Sequence, residues 1–330
     1  MQKPPFFIVG CPRSGTSLLR SLLRSHPNLT APSESHFIPR CYKAFGDPAN
    51  ASEARRISRF ILETSWVKEW GALDVGPDDF ADCRSYREIV RRVFEAFARL
   101  EGKPRWGDKT PQHVLELPTL LQVFPEAKII HIIRDGRDVA HSWLRTRYHP
   151  HNYYTAAQLW RRFVEAGMRF GSSASPGVYL EVRYEALLES PRETMQSVCD
   201  FLDEPFDEAV LSPNPTSKDL RMTVGRMVSL SKLVTANQGK WRSTLSPEQR
   251  ALFESVAGDF LSDLGYEVEG RSRPLPAWER SYWQMHQNVH ATWVALRMLG
   301  RRPGRFKTRM QLRLMDARNR RQARWIRDRA

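Results

Sequence analysis

The chain has 330 residues, and its 41% hydrophobic and 27% charged residues are ordinary for a globular protein. Its net charge of +14 comes from one end: residues 271–330 hold 16 Lys and Arg against 3 Asp and Glu, whereas residues 1–270 hold 35 against 34. The four cysteines are widely spaced and form no C-x-x-C pair, which argues against a cysteine zinc site and a disulfide framework.

The first predicted unit is a strand, a glycine loop and a helix. The apolar run 6–9 predicts a buried strand, and leucines at 18, 19, 22 and 23 mark one face of a helix. The loop between them directs backbone N–H groups and the positive end of a helix dipole at one place, which suits a phosphate. Gly10 and Gly15 have the spacing of a P-loop, but Thr16 replaces its lysine and the positive charge is Arg13. The loop therefore predicts a ligand without a γ-phosphate and without a metal.

Further strands and helices alternate along the chain. The strands are predicted as a short one after the turn at 26–32, a buried one at 127–133 and a third at 178–183. Residues 106–111 are interpreted as a polar loop. The helices are predicted at 52–70, 84–100, 115–124, from about 139, and near 155–170, 191–203 and 247–263. This alternation predicts a parallel α/β sheet that binds ligands at the carboxyl ends of its strands.

Two arginines follow the strand at 127–133, where a P-loop triphosphatase would place an aspartate for magnesium. Arg134 and Arg137, together with Ser142, predict a second anion site beside the loop. Asp135 and Asp138 are flanked by arginine, which is a poor arrangement for a metal. A salt-bridged turn is the alternative interpretation of these residues.

Together, these motifs resemble the sulfotransferases that use 3′-phosphoadenosine 5′-phosphosulfate (PAPS). Residues 10–19 resemble the loop that holds the 5′-phosphosulfate, and residues 132–142 resemble the segment that holds the 3′-phosphate. Residues 238–242 (Gln-Gly-Lys-Trp-Arg) resemble an element that closes over the nucleotide. The resemblance is nearest to the bacterial and tyrosylprotein-type branch, through residues 26–27 (His-Pro) and 32–36 (Pro-Ser-Glu-Ser-His).

The resemblance implies an α/β fold of the P-loop nucleoside-triphosphatase-like sulfotransferase type, with a central parallel sheet flanked by helices. Residues 1–270 would form the catalytic domain, and residues 43–105 would be a helical acceptor-site insertion within it. Residues 271–330 would be a basic helical C-terminal extension. The co-substrate implied is PAPS, with no metal.

The resemblance also assigns site residues. Those implied to bind the nucleotide are Arg13, Ser14, Gly15, Thr16, Ser17, Arg134, Ser142, Tyr184, Lys240, Trp241 and Arg242. The implied catalytic residues are Arg13 and Lys109, which would neutralise the leaving group, and Glu34, which would be the base. His36 is the alternative base, and its side chain would point away from that of Glu34 if both residues lay in a strand.

The C-terminal extension carries a pattern of its own. Apolar residues from Trp278 to Leu299 recur at spacings of three and four, which predicts a helix face that docks on the catalytic body or on a second copy. Beyond Gly300 the chain is rich in arginine with aromatic residues interspersed, which suits an anionic membrane surface or a polyanion, although a solvated end fits as well. Nucleic acid is disfavoured as a partner.

The expected activity is transfer of a sulfuryl group from PAPS to a hydroxyl or amine of a small-molecule, glycan, lipid or peptide acceptor. Two alternatives stay open. One is a non-catalytic nucleotide- or polyanion-binding protein on the same fold, and the other is a metal-dependent kinase, which Thr16 and the missing magnesium carboxylate disfavour. With no apolar run of about 18 residues and no signal-peptide pattern, we expect a cytoplasmic location, or a peripheral one at a membrane.

Overall fold

A five-stranded parallel sheet lies at the centre of the fold. The computed structural model describes residues 3–146, 150–212, 238–268 and 274–299. The strand order is β2-β3-β1-β4-β5. The strands are β1 (Phe6–Gly10), β2 (Leu29–Thr30), β3 (Arg105–Lys109), β4 (Lys128–Ile133) and β5 (Tyr179–Arg183). Because the chain crosses from one side of β1 to the other between β3 and β4, the crevice at the carboxyl ends of these strands is the expected ligand site.

Helices cover both faces of the sheet. The smaller layer consists of α1 (Thr16–Ser25), α9 (Tyr184–Glu189) and α10 (Pro191–Phe201). The larger layer consists of α2 (Ile38–Phe45), α3 (Ala51–Leu62), α4 (Ser65–Lys68), α5 (Tyr86–Leu100), α6 (Leu117–Val123), α7 (Gly136–Leu144), α8 (Tyr153–Ser173), α11 (Trp241–Thr244) and α12 (Pro247–Asp263). Short 3-10 helices span Pro77–Phe80, Pro111–Glu116 and Glu208–Leu211.

The side chains of β1 alternate between the two layers. Phe7 and Val9 pack into the larger core, whereas Phe6 and Ile8 pack into the smaller one. This is the period of two that a strand imposes, and a strand buried on both faces therefore reads as a continuous apolar run. The sequence-based predictions of β1 and β4 are confirmed for this reason.

β3 was wrongly interpreted as part of a polar loop. All five of its residues are buried although three of them are charged. The guanidinium of Arg105 lies 3.0 Å from the Glu204 carboxylate, and the ammonium of Lys109 lies 2.9 Å from that of Glu34. Gly107 lets the strand pack against the Phe6 ring, since a Cβ at this position would lie 2.4 Å from that ring. The two buried basic residues are tolerated here because each has a carboxylate partner from a distant part of the chain.

Two helix boundaries also differ from the prediction. The helix expected at 52–70 is interrupted after Leu62, and Thr64 begins a new helix by accepting the Val67 N–H on its hydroxyl (3.4 Å). The helix expected from about residue 139 begins at Gly136, because the Asp135 carboxylate caps its amino end.

The C-terminal helix α13 (Ala277–Leu299) packs on the amino end of α8 through polar groups. The Asn152 amide donates to the Trp283 carbonyl (3.0 Å), and the Gln287 side chain accepts the His151 N–H (2.7 Å). The apolar residues 278, 282, 285, 289 and 293 are exposed, so of the two expected partners of this face the catalytic body is wrong, and a second copy stays a prediction. The side chains of residues 295–299 and the whole of residues 300–330 lie outside the described part. None of the helices described here has the length and apolarity needed to cross a bilayer.

His131 of β4 is a neutral, buried histidine. Its Nδ1 lies 2.6 Å from the Tyr179 hydroxyl, and none of its surface is exposed. Burial, together with the charge of Arg183, lowers the pKa of His131 to about 3. The folded chain therefore keeps this imidazole neutral where an unfolded chain would protonate it.

We predict that His131 makes the fold acid-sensitive. Below about pH 6.5 the unfolded chain gains a proton that the folded chain refuses, so the free energy of unfolding should fall by up to about 1.4 kcal/mol per pH unit from this group. Urea titrations of the wild type and of His131→Gln near pH 7 and pH 5 measure the effect. The stability advantage of the wild type should shrink by about 2 kcal/mol at the lower pH, and the same pH dependence in both proteins would contradict the prediction.

Candidate active site

The loop between β1 and α1 forms one wall of the crevice. Arg13 and Gly15 have φ values of 77° and 98°, and the Ser14 N–H donates to the Cys11 carbonyl (3.1 Å), which closes a tight turn. A Cβ on Gly15 would lie 2.3 Å from the Tyr184 ring, so this position needs glycine for its space as well as its conformation.

Thr16 and Ser17 form the first turn of α1. Within the described residues, no side chain caps the amino end of this helix. Backbone N–H groups at such an end have no partner within the helix and bind anions well. The predicted phosphate loop therefore has the local geometry that its sequence indicated.

Two arginines meet at the carboxyl ends of β1 and β4. The Arg13 Nε donates to the Ser142 hydroxyl (3.1 Å), and Arg134 donates to the Arg13 carbonyl (3.3 Å). The Arg134 guanidinium also lies 4.4 Å from the centre of the Tyr184 ring. Partial desolvation and the charge of Arg134 lower the pKa of Arg13, so the protein itself disfavours this concentration of positive charge. An anion bound between these groups would relieve that cost.

A carboxylate, an ammonium group and an imidazole meet beside the loop. The Glu34 carboxylate lies 2.9 Å from Lys109 Nζ and 2.8 Å from His36 Nε2. Burial alone would raise the pKa of Glu34, but the charges and hydrogen bonds of Lys109 and His36 outweigh it and hold that pKa well below its usual range. The Glu34 side chain is 33% exposed and the Lys109 side chain 7%, so solvent reaches the carboxylate more easily than the ammonium group.

The relation between Glu34 and His36 differs from the strand expectation. The segment that carries them is irregular, and His36 has a left-handed φ of 56°. This turn brings the His36 imidazole back onto the Glu34 carboxylate, so the two candidate bases point to the same place. The other side of the imidazole packs against Trp66 of α4, with ring centres 5.1 Å apart.

Hydrogen bonds hold the Glu34 segment against the end of β3. The Thr110 hydroxyl accepts the Ser35 N–H (3.0 Å) and donates to the Asp108 carboxylate (3.2 Å). Asp108 also lies 3.1 Å from the His113 ring. These buried contacts set the distance between Glu34 and Lys109, which come from different elements.

Asp138 connects residues 238–242 to Arg134. Asp138 was not assigned this role from the sequence. Its carboxylate accepts the Gly239 N–H (2.8 Å) and the Trp241 N–H (2.9 Å), and it lies 3.3 Å from Arg134. The spacing of Asp135 and Asp138 is that of a helix cap and its third residue, and this signal was available in the sequence. No sequence pattern indicated that Asp138 would also bind Gly239 and Trp241, about a hundred positions later.

Residues 240–242 differ in how they are placed. Lys240 is exposed, and Arg242 pairs with Glu267 (2.8 Å) at the surface. Trp241 is 1% exposed, with the Arg137 guanidinium 3.5 Å from its ring centre. Its indole therefore supports the site by packing. Nucleotide contact by any of the three residues stays a prediction.

Arg137 is a structural arginine rather than a member of the second anion site. It is 1% exposed and is held by Asp135 (2.8 Å) and by Glu254 of α12 (2.7 Å). These pairs hold the start of α7 and leave Arg134 as the arginine that faces the loop. Across the described residues, no three His, Cys, Asp or Glu side chains are grouped as metal ligands.

Known proteins resemble this chain in sequence. The model of the sulfotransferase family matches residues 4–208. A putative protein-tyrosine sulfotransferase of Caenorhabditis briggsae is 26% identical over 285 residues, covering 81% of this chain and 90% of that protein. Nodulation protein NoeE of Sinorhizobium fredii is 27% identical over 328 residues, covering 88% and 73%. The chain covers only 40% of the protein-tyrosine sulfotransferase of Drosophila melanogaster, to which it is 29% identical.

A solved structure agrees with the sequence comparisons. The sulfotransferase domain of the Synechococcus PCC 7002 olefin synthase superposes with a TM-score of 0.55 at 25% identity, covering 82% of this chain and 98% of that domain. The family match spans more than half of the chain and includes the loop, Glu34, Lys109 and the Arg134 segment. This chain therefore belongs to the sulfotransferase family.

Proposed function

We propose that this sulfotransferase takes its sulfuryl group from PAPS and passes it to an acceptor hydroxyl without the help of a metal. The observation that carries the proposal is the meeting of two arginines at the ends of β1 and β4, the exposed Arg13 and the buried Arg134, beside a Glu34–Lys109 pair at the end of β3. A donor with a 5′-phosphosulfate and a separate 3′-phosphate has the charges that such a crevice lacks.

In this proposal the glycine loop binds the 5′-phosphosulfate of the donor. The amides at the start of α1, Arg13 and Lys109 would bind the phosphosulfate, and Arg134 with Ser142 would bind the 3′-phosphate. Because Arg13 donates to Ser142, the residues assigned to the two phosphates are in direct contact. We infer that binding of one phosphate orients the groups that bind the other.

Transfer needs a base for the acceptor and positive charge for the leaving group. As the acceptor oxygen bonds to sulfur, the bond from sulfur to the bridging oxygen breaks and negative charge develops on the phosphate. Glu34 would accept the acceptor's proton, and His36 would orient the carboxylate.

In this proposal Lys109 pairs with two anions in turn, first the Glu34 carboxylate and then the phosphosulfate of the donor. Its pairing with Glu34 makes that carboxylate a weak base. When Lys109 turns to the phosphosulfate, Glu34 loses a cationic partner and its proton affinity rises. The base would therefore become effective only when the donor is in place.

The acceptor side of the crevice includes Trp66, whose ring packs on His36. Residues 43–105, which supply this wall, remain our proposal for the acceptor-binding insertion. The relatives named protein-tyrosine sulfotransferases make a tyrosine in a peptide the first acceptor to test. A phenol, with an unperturbed pKa near 10, also gives up its proton more easily than a sugar hydroxyl.

Nucleotide selectivity tests the donor assignment. Calorimetric titration should show tight binding of 3′-phosphoadenosine 5′-phosphate (PAP) and much weaker binding of AMP and of ATP with magnesium. Arg134→Ala should weaken PAP binding by about 2–4 kcal/mol, because a charge-assisted contact to the 3′-phosphate is lost, and should change AMP binding little.

Arg161→Ala is a suitable control for that titration. This arginine lies on α8 and pairs with Glu165, away from the loop, and its removal should leave PAP binding unchanged. A preference for ATP with magnesium would return the chain to the kinase interpretation. Equal PAP binding by Arg134→Ala would remove Arg134 from the 3′-phosphate site.

Removal of the carboxylate charge tests the base. Glu34→Gln should lower turnover by about 10²- to 10⁴-fold, the range for a lost general base, while PAP binding stays within about twofold. Sulfate transfer from labelled PAPS to a tyrosine peptide, a phenol and a sugar measures the loss. Glu116→Gln, which removes the exposed partner of Lys43, is the matched control and should act like the wild type. Unchanged turnover in Glu34→Gln would exclude Glu34 as the base.

A further inference from the structure

Exposed apolar side chains are concentrated on α13. In the described ranges six large hydrophobic residues are exposed, and five of them lie on this helix, Leu100 being the sixth. The five form the apolar stripe, which consists of Trp278 (72% exposed), Tyr282 (48%), Met285 (60%), Val289 (63%) and Trp293 (50%). Their spacing of four, three, four and four places them on one helix face, about 22 Å long at 1.5 Å per residue.

The apolar stripe does not hold the helix on the body. The contacts with α8 come from another face, about a third of a turn away, which carries Trp283, His286, Gln287 and His290. Most of these contacts are hydrogen bonds from Asn152, Thr155 and the His151 backbone. The helix therefore keeps its place while its apolar stripe faces away from the protein.

Positive charge follows directly after the apolar stripe. Residues 300–330 contain 12 Lys and Arg and 2 Asp, whereas residues 1–270 are nearly balanced. The excess positive charge that would attract an anionic surface therefore lies at the end of the chain that carries the stripe.

We propose that α13 binds an anionic lipid surface, with the apolar stripe in the headgroup region. The net positive charge of the sequence that follows the stripe adds electrostatic attraction to the lipid phosphates. Trp and Tyr favour this region because their rings are apolar and their N–H and O–H groups remain in water. A helix with such a face and adjoining basic residues has the composition of an interfacial helix.

A soluble polyanion or a second copy of the chain would complement either the basic residues or the apolar stripe, but not both. A soluble polyanion would bind the arginines and leave Trp278 and Trp293 in water. A second copy packed stripe to stripe would cover the apolar side chains but supply no net negative charge to the basic residues that follow them, because both copies carry the same excess of Lys and Arg. An anionic lipid bilayer, with charged headgroups above an apolar interior, complements both the basic residues and the apolar stripe.

The test uses the full-length chain and vesicles of phosphatidylcholine, with or without about 30% phosphatidylglycerol. The wild type should sediment with the anionic vesicles and at least about tenfold less with the neutral ones. The triple variant Trp278→Ser/Tyr282→Ser/Trp293→Ser should lose at least about tenfold of its partition into anionic vesicles. Its thermal melt should match that of the wild type, because the three side chains are exposed.

Leu100→Ser is the matched control, since it removes an exposed apolar side chain (51%) far from α13 in sequence, and it should bind vesicles as the wild type does. Replacing Arg301, Arg302, Arg305 and Lys307 by Gln should weaken binding and reduce its salt dependence.

Three results would overturn the proposal. The first is a wild type that does not sediment with anionic vesicles. The second is a triple variant that binds them as tightly as the wild type, which would mean that charge alone is responsible. The third is a wild-type dimer, seen by analytical ultracentrifugation, that the triple variant converts to monomer and that ignores vesicles, which would make a second copy the occupant of the stripe.

Discussion

The stack of Gly15, Tyr184 and Arg134 is the contact on which the site depends. The Tyr184 ring lies against the loop at a position where only glycine leaves room, and the Arg134 guanidinium lies 4.4 Å from the centre of that ring. These residues follow β1, β5 and β4, so the stack joins three strand ends into one surface. Arg13 and Ser142 are then brought together at the edge of that surface, and the two proposed phosphate sites become one cationic crevice.

Buried ion pairs give this crevice its shape at a cost. Desolvation makes a buried pair weak evidence for stability, but breaking one leaves an uncompensated charge, so such pairs specify geometry more than they add free energy. Arg137 illustrates this, because its bonds to Asp135 and Glu254 align α7 with α12 and its guanidinium covers the Trp241 indole. Asp138 likewise fixes the turn at Gly239, because its carboxylate accepts the backbone N–H groups of Gly239 and Trp241. The two arginines of residues 134–137 therefore differ in position, with Arg134 beside the loop and Arg137 holding the fold.

Sequence reasoning found what local pattern encodes. Apolar runs predicted β1, β4 and β5, and the glycine spacing predicted the loop, because burial on both faces and tight turns leave a local signal. It missed β3, whose two basic residues are paired with Glu204 and Glu34, 99 and 75 residues away. The same limit applied to Asp138, whose partners come after α10, and to the pairing of Glu34 with His36, which requires a left-handed residue that no periodicity announces.

The C-terminal helix shows that apolar pattern and packing are separate questions. Its periodicity predicted a helix and an apolar face, and the helix exists, yet it docks through Asn152 and Gln287 rather than through that face. Polar docking has a physical consequence: the attachment of α13 to the body does not compete for the apolar side chains, so their exposure does not depend on the helix leaving its place. If the apolar stripe were needed for folding, it would be buried. Because polar contacts on another face of α13 hold the helix, the stripe remains exposed and available to a partner. On our proposal, this separation lets α13 bind a lipid surface while the crevice at the strand ends stays unchanged.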